Sequence, residues 1–230
     1  MPTRLASVVL PFYNQADHVE PLISKFLTAV SGLPFEVEFI LVPNNCSDGT
    51  TEICLGLEGR HPRMRVVELA EGGWGRAVRA GIEAAEGDLL CYTNSARTST
   101  EMLVLSLLFA SVHPDVVVKA NRRVRDSAGR RLGSLLYNLE CRMLFDLPQW
   151  DINGTPKVFP RSASSLLSLQ RNDDLIDLEF VVRCQRDGHR ILEVPLLSTE
   201  RHGGQSTTKL RSAVRLYVGA LRMARAREAA

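Results

Sequence analysis

Apolar runs and helical stripes alternate without a break from residue 6 to residue 120, and that rhythm leaves few folds open to the chain. The run "ASVVLPF" (6–12) is short, carries β-branched residues and is bounded by Pro and Asn, the marks of a buried strand. Val19, Leu22, Ile23, Phe26, Leu27 and Val30 then recur at helical spacing. A second strand is predicted over "FEVEFILV" (35–42), a helix opening at "DGTTEICLGLEG" (48–59) with residues able to cap it, and a third strand over 64–69. The glycines of "EGGWG" (71–75) lead into a helix over 76–87, and "DLLCYT" (88–93) is a fourth strand. Thr98 and Glu101 have capping-box spacing ahead of the apolar "MLVLSLLFA" (102–110), and "DVVVKA" (115–120) makes a fifth strand. This alternation predicts an α/β fold with a doubly wound, mostly parallel sheet and helices on both faces.

Past Asn121 the rhythm breaks. "RRVRDSAGRR" (122–131) is basic and reads as a loop, 133–145 and 173–190 as helices, 155–161 and 191–197 as strands, and 207–227 as a last helix. No repeat, low-complexity tract or linker divides the chain, and 230 residues suit one α/β domain. A net charge of +2 supplies no strong field for a polyanion, so no nucleic-acid partner is expected. Five widely spaced cysteines (46, 54, 91, 141, 184) with no C-x-x-C pair point to reduced thiols and a cytoplasmic setting. The opening "MPTRLASVVLPFYN" holds too short an apolar run for a signal peptide, and no stretch reaches the ~18 apolar residues that spanning requires.

Four stretches carry a resemblance. They are "VVLPFYNQADHVEPL" (8–22), "ELAEGGWGRAVRAGIEAAEGD" (68–88), "DINGTPKVFPR" (151–161) and "GHRILEVPLLSTERHGGQS" (188–206). Together and in this order they resemble a family-2 glycosyltransferase of the GT-A fold, nearest the dolichol- and polyprenyl-phosphate sugar synthase branch. The resemblance implies one GT-A domain, with a nucleotide-binding half over 6–120, an acceptor half over 121–206 and a C-terminal amphipathic helix over 207–227. It also implies an inverting transfer of sugar from a nucleoside diphosphate sugar to a polyprenyl phosphate or related phosphate-bearing acceptor.

On the donor side the resemblance places Pro11, Tyr13 and Asn14 under the nucleotide base. In "VPNNCSDGT" (42–50) Pro43 and Asn44 replace the acids that usually end the second strand, while the amides of Asn44 and Asn45 remain able to pair with a base edge. The family's Asp-x-Asp metal motif falls on Asn94-Ser95-Ala96, and a Gln found nearby in this branch falls on Thr98. Mg²⁺ and Mn²⁺ want charged oxygen ligands, so no metal ligand is assigned here; Mg²⁺ or Mn²⁺ stays a possible cofactor whose usual ligands are missing, and metal dependence is expected to be altered or absent. Arg97, beside the lost motif, and Asn94 are then the candidate catalytic groups. Ser95, Arg76 and the amides around Gly73 at a helix N-terminus are donor-binding candidates.

On the acceptor side the resemblance carries a phosphate site onto Arg122, Arg131, Ser134, Arg201 and Ser206. Such a phosphate is already anionic, so no strong general base is required; in family members with hydroxyl acceptors a carboxylate takes the proton, for which Asp151, Asp174, Asp177 and Glu179 are the candidates, none of them assigned as base and Glu179 read as structural. In the last helix Leu210, Val214, Tyr217, Val218 and Leu221 share a face beside Arg211, Arg215, Arg222 and Arg225, which suits peripheral contact with an anionic membrane at its inner face. A second reading follows from the loss of acids at both strand ends: a non-catalytic relative that binds a nucleotide, a lipid phosphate or a partner protein.

Overall fold

A computed structural model describes residues 3–124, 128–197 and 210–228 of the chain. The first half runs β1 (Leu5–Phe12), α1 (Val19–Val30), β2 (Glu36–Pro43), α2 (Thr50–Arg60), β3 (Met64–Val66), α3 (Trp74–Ala84), β4 (Leu89–Tyr92) and α4 (Thr100–Val112). The second runs β5 (Val116–Val124), α5 (Ala128–Phe145), β6 (Lys157–Pro160), α6 (Ser164–Leu167), α7 (Ile176–Arg186), β7 (Arg190–Leu197) and α8 (Leu210–Glu228). The seven strands form one sheet in the order β3-β2-β1-β4-β6-β5-β7. Only β6 runs antiparallel to its neighbours; the other pairings are parallel.

Helices on both faces explain why the central strands read as unbroken apolar runs. Along β1, Ala6, Val8, Leu10 and Phe12 pack with α1, α2 and α4 side chains such as Ile23, Phe26, Cys54 and Leu103. Val9 points the other way, into a second core with Val78 and Ile82 of α3, Tyr137 and Cys141 of α5, and Phe180 of α7. At the foot of the sheet the Ser7 hydroxyl donates to Glu38 Oε1 at 2.5 Å and accepts from the Gly87 N–H at 2.7 Å, which satisfies a polar pair inside β1 and β2. All five cysteines are free thiols, four of them buried.

Several sequence expectations are corrected here. Ser99, not Thr98, caps α4, accepting from the Met102 N–H at 3.3 Å. Thr98 turns inward, its hydroxyl 2.5 Å from that of Thr93. The basic stretch 122–131 is split between β5 and α5, because parallel pairing with β7 carries β5 as far as Val124. The third strand stops at Val66, although Val67 and Leu69 still bond to the carbonyls of Leu41 and Pro43. The long helix predicted over 173–190 is only Ile176–Arg186, ended by Gly188 at φ +72°.

Gly81 lets α3 lie directly on β1, since a Cβ there would overlap the side chain of Val9, which is wholly buried. Gly81→Ala should therefore lower stability by ~1–3 kcal/mol through overpacking, read as a lower urea midpoint. Val9→Ala in the same chain should recover part of that loss.

Candidate active site

The strand order reverses direction between β1 and β4, and the loops leaving the carboxyl ends of β1, β2 and β4 are bonded to one another around that point, where a ligand crevice is expected. Open α/β sheets bind ligands at such a switch point. The loop after β1 turns at Asn14, which holds a positive φ of 47° while its Oδ1 accepts from the Ser47 N–H at 2.9 Å. Two further bonds stitch this loop to the one after β2: Gln15 N–H to Thr50 Oγ1 at 2.8 Å, and Ala16 N–H to Asp48 Oδ2 at 3.0 Å. Burial works to raise the Asp48 carboxyl, but hydrogen bonds from Thr50 and Ala16 prevail and hold it below the usual range. Tyr13 stands partly exposed at the mouth, and Pro11 is buried beneath it.

Asn44 is buried, and both ends of its carboxamide are committed. Its Nδ2 donates to the Phe12 carbonyl at 2.6 Å, and its Oδ1 accepts from the Gly73 N–H at 3.2 Å. It thereby ties β1 to the glycine turn and presents backbone, rather than its own amide, to the crevice. Asn45 is exposed at φ +52°, with Gly72 packed beside it. Gly73, at φ +152°, opens α3. The N-terminal end of α3 is covered from one side by residues 171–173: the Asn172 carbonyl accepts from the Arg76 N–H at 3.1 Å, and a Cβ on Gly75 would lie 2.5 Å from the Arg171 carbonyl. The Arg76 guanidinium pairs with Glu71 at 2.6 Å. A shallow hollow of about 470 Å³ lies over this corner, lined by Arg76 and residues 170–173.

The loop after β4 is folded in upon itself. Asn94 Oδ1 accepts from the Ala96 N–H at 3.0 Å, and the Asn94 carbonyl accepts from the N–H groups of Arg97 and Thr98. Ser95 is 2% exposed, its hydroxyl bonded to the Pro11 carbonyl at 2.9 Å and 3.1 Å from Gln15 Oε1. Ala96 is buried as well, and Arg97 follows half-buried in the same turn. This donor set does not fit Mg²⁺ or Mn²⁺: Asn94 and Ser95 are neutral and their oxygens are already bonded. Among the described residues no three His, Cys, Asp or Glu side chains converge on a metal position.

Across the sheet, at the far ends of β5 and β7, the Arg122 guanidinium grips Asp151 through two bonds of 2.7 Å, and the Arg122 N–H adds a third at 2.9 Å. Asp151 itself sits at φ +52°. Arg131 and Ser134 both lie on α5, where the Ser134 hydroxyl accepts from Asn138 Nδ2 at 3.4 Å. Arg201 and Ser206 lie outside the described residues. Glu179 binds Arg183 at 2.7 Å and the N–H groups of Gln170 and Arg171, so it organises the covering segment. Asp174 is at the surface.

One feature of this region escaped the sequence reading. Registered pairing places Tyr92, Lys157, Lys119 and Glu193 in one row across β4, β6, β5 and β7. Lys119 is wholly buried; its ammonium forms an ion pair with Glu193 at 2.7 Å and donates to the carbonyls of Trp150 and Asp151 at 2.8 and 2.9 Å. Lys157 is equally buried and pairs with Asp177, whose carboxylate also accepts from the Tyr92 hydroxyl at 3.0 Å and Trp74 Nε1 at 3.1 Å. Burial pulls the Lys157 ammonium down to about 8 against the opposing attraction of Asp177. A lysine inside each of the apolar runs "VVVKA" and "PKVF" was the signal available.

A seven-stranded sheet with one reversed strand and a crevice at the β1–β4 switch point is the fold of the GT-A glycosyltransferases. Glucosyl-3-phosphoglycerate synthase from Mycobacterium tuberculosis, solved with Mn²⁺, UDP and glucosyl-3-phosphoglycerate, superposes with a TM-score of 0.73 at 22% identity, over 96% of this chain and 80% of that one. The chain belongs to glycosyl transferase family 2, whose model matches residues 7–163. It is 32% identical over 202 residues to the glycosyltransferase AglD of Haloferax volcanii, covering 83% of this chain and 32% of that protein. It is 25% identical over 207 residues to the undecaprenyl-phosphate 4-deoxy-4-formamido-L-arabinose transferase of Aeromonas hydrophila, covering 88% of this chain and 62% of that protein. The chain thus spans less than two thirds of the length of either relative.

The buried pair makes a direct prediction. Asp177→Ala, which strands a buried ammonium, should cost ~3–5 kcal/mol in urea unfolding. Lys157→Met combined with Asp177→Asn should recover most of it.

Proposed function

We propose that this domain is an inverting glycosyltransferase that moves a sugar from a nucleoside diphosphate onto a polyprenyl phosphate or related phosphate-bearing acceptor, with no divalent cation held at the end of β4. Family membership and the switch point between β1 and β4 support the transferase half of this reading. The relatives named for undecaprenyl-phosphate transfer support the acceptor class. The observation that carries the metal-independent half is the burial of Ser95 and Ala96 where the resemblance puts cation ligands.

In this reading Pro11, Tyr13, Asn14 and Asn45 border the base. Arg97 and Arg76, with the N-terminal turn of α3 that opens at Gly73, supply the positive potential that a cation would otherwise give the leaving diphosphate, and Ser95 holds the loop after β4 against Pro11. An acceptor phosphate oxygen attacks the anomeric carbon, and the bond to the nucleoside diphosphate breaks as the new one forms. The nucleophile arrives ionised, so no side chain has to remove a proton. Arg122, Arg131, Ser134, Arg201 and Ser206 receive the acceptor phosphate, and Arg122 must share its guanidinium between Asp151 and the incoming oxygens. A lipid-linked acceptor would bring the domain to the inner face of a membrane. Among the described residues no helix is long and apolar enough to cross one.

A second reading, a non-catalytic nucleotide, lipid-phosphate or protein-binding relative, draws on Asn44 and Arg122, whose polar groups are spent on the fold itself. Calorimetric titration with UDP, GDP, CDP, TDP and their sugars, with manganese and then with chelator, separates the two. The transferase reading expects binding that survives chelator and is weakened about tenfold or more by Arg97→Ala, the scale of one charge-assisted hydrogen bond. Failure of every nucleotide to bind would favour the second reading.

A further inference from the structure

Helix α5 is apolar on both sides. Its inner side buries Tyr137, Cys141 and Phe145 in the core. Its outer side presents Leu132, Leu135, Leu136, Leu139 and Met143, at spacings of three and four residues, with Leu132 58% and Met143 78% exposed. A helix on the surface of a water-soluble domain normally turns polar residues outward, and a contiguous exposed apolar patch marks an interaction surface.

Helix α8 packs alongside α5. Tyr217 donates its hydroxyl to the Gly133 carbonyl at 2.6 Å and meets the ring of Tyr137 edge-on, so it leaves the outward face on which the sequence places it. Ala220 and Ala224 of α8 are buried in the same core as Tyr137 and Cys141, which puts both helices in one layer. The outward face of α8 then consists of exposed Val214, Val218 and Leu221 interleaved with exposed Arg215, Arg222 and Arg225. From the last turn of α5, the Arg142 guanidinium lies 4.1 Å over the partly exposed ring of Trp150, an aromatic–cationic pair suited to a membrane–water boundary.

Charge identifies the occupant. The sequences of α5 and α8 together hold eight arginines and two glutamates, a net of +6, whereas the whole chain sums to +2. The remainder of the chain is therefore net −4. A two-fold pairing of this face with a second copy would set arginine against arginine, with too few carboxylates to answer them. An anionic leaflet answers both features, because it offers acyl chains to the apolar stripe and negative headgroups to the arginines.

We propose that the outer faces of α5 and α8 form one bilayer-docking surface, with the leucine–methionine stripe of α5 inserted into an anionic leaflet and the arginines of α8 at headgroup level. The inference deepens the lipid-acceptor reading and rests on it for its purpose. α5 begins four residues after the end of β5, so docking would bring Arg122 and Ser134 towards the depth at which a lipid-linked phosphate lies.

The test is flotation of the full chain with phosphatidylcholine vesicles, with and without phosphatidylglycerol. Binding is expected only to the anionic vesicles, with a blue shift of Trp150 emission. Leu136→Gln/Leu139→Gln/Met143→Gln and, separately, Arg222→Glu/Arg225→Glu should each reduce partitioning by about tenfold or more, while the circular dichroism melt stays unchanged. Equal partitioning of the variants and the natural chain would overturn the proposal. So would absence of vesicle binding together with a concentration-dependent dimer that the three glutamine substitutions dissociate, since the face would then be a contact between copies. Nucleotide titration of the same samples is read separately: its loss with vesicle binding intact counts against the transferase reading and leaves the docking surface standing.

Discussion

The carboxylate of Asp177 sits where four elements meet. It holds Lys157 of β6, the Tyr92 hydroxyl of β4 and the Trp74 indole N–H of α3, while belonging itself to the first turn of α7. Removing two charges from water costs several kcal/mol per ion, and the pair is tolerable only because its remaining hydrogen-bonding capacity is met. Here the tyrosine and the tryptophan supply two of those bonds. Trp74 directly follows Gly73, so the same carboxylate fixes the start of α3 against the sheet and sets where the glycine turn stands in the crevice. The rings of Tyr92 and Phe180 pack edge-on at 5.6 Å and exclude water from the pair.

The crevice depends on this anchoring because its own loops are held by small, specific bonds. Asn14, Gln15 and Ala16 reach residues 47–50; Ser95 reaches Pro11 and Gln15; Asn44 reaches Phe12 and Gly73. Side chains that would bind a cation or a base in a solvated loop have been drawn into this stitching. The cationic groups of these loops are Arg76, paired with Glu71, and the half-buried Arg97. In the proposed transfer, fixed dipoles and guanidinium groups are what these loops offer a leaving diphosphate.

A similar economy operates across the sheet. Lys119 reaches the carbonyls of Trp150 and Asp151, which fixes the segment that turns Asp151 toward Arg122. The two buried lysines therefore brace two separate places, one the start of α3 through Asp177 and Trp74 and the other the end of β5 through Asp151. The near-zero net charge of the chain hides a sharp division: basic on the α5–α8 layer and acidic over the rest.

The alternation from Leu5 to Val118 was legible in the sequence because the central strands β1, β2 and β4 are buried on both faces and the helices on one, so local pattern and tertiary environment agree. The identity of the missing acids at 43–44 and 94–96 was equally legible, since it depends only on which residue stands where. The reach of β5 into the basic stretch was not, because it is set by β7, some seventy residues away. Thr98 and Ser99 compete for one cap with similar chemistry, and the buried Thr93 hydroxyl decides between them. Nor could the sequence show that Asn44, Ser95 and Arg122 are engaged by their own fold, or that Lys119 and Lys157 lie in one row. By itself the sequence determined the order of elements and the chemical inventory of the site. The tertiary structure decided which of those groups remain available, because hydrogen-bond partners distant along the chain are chosen only when the sheet closes.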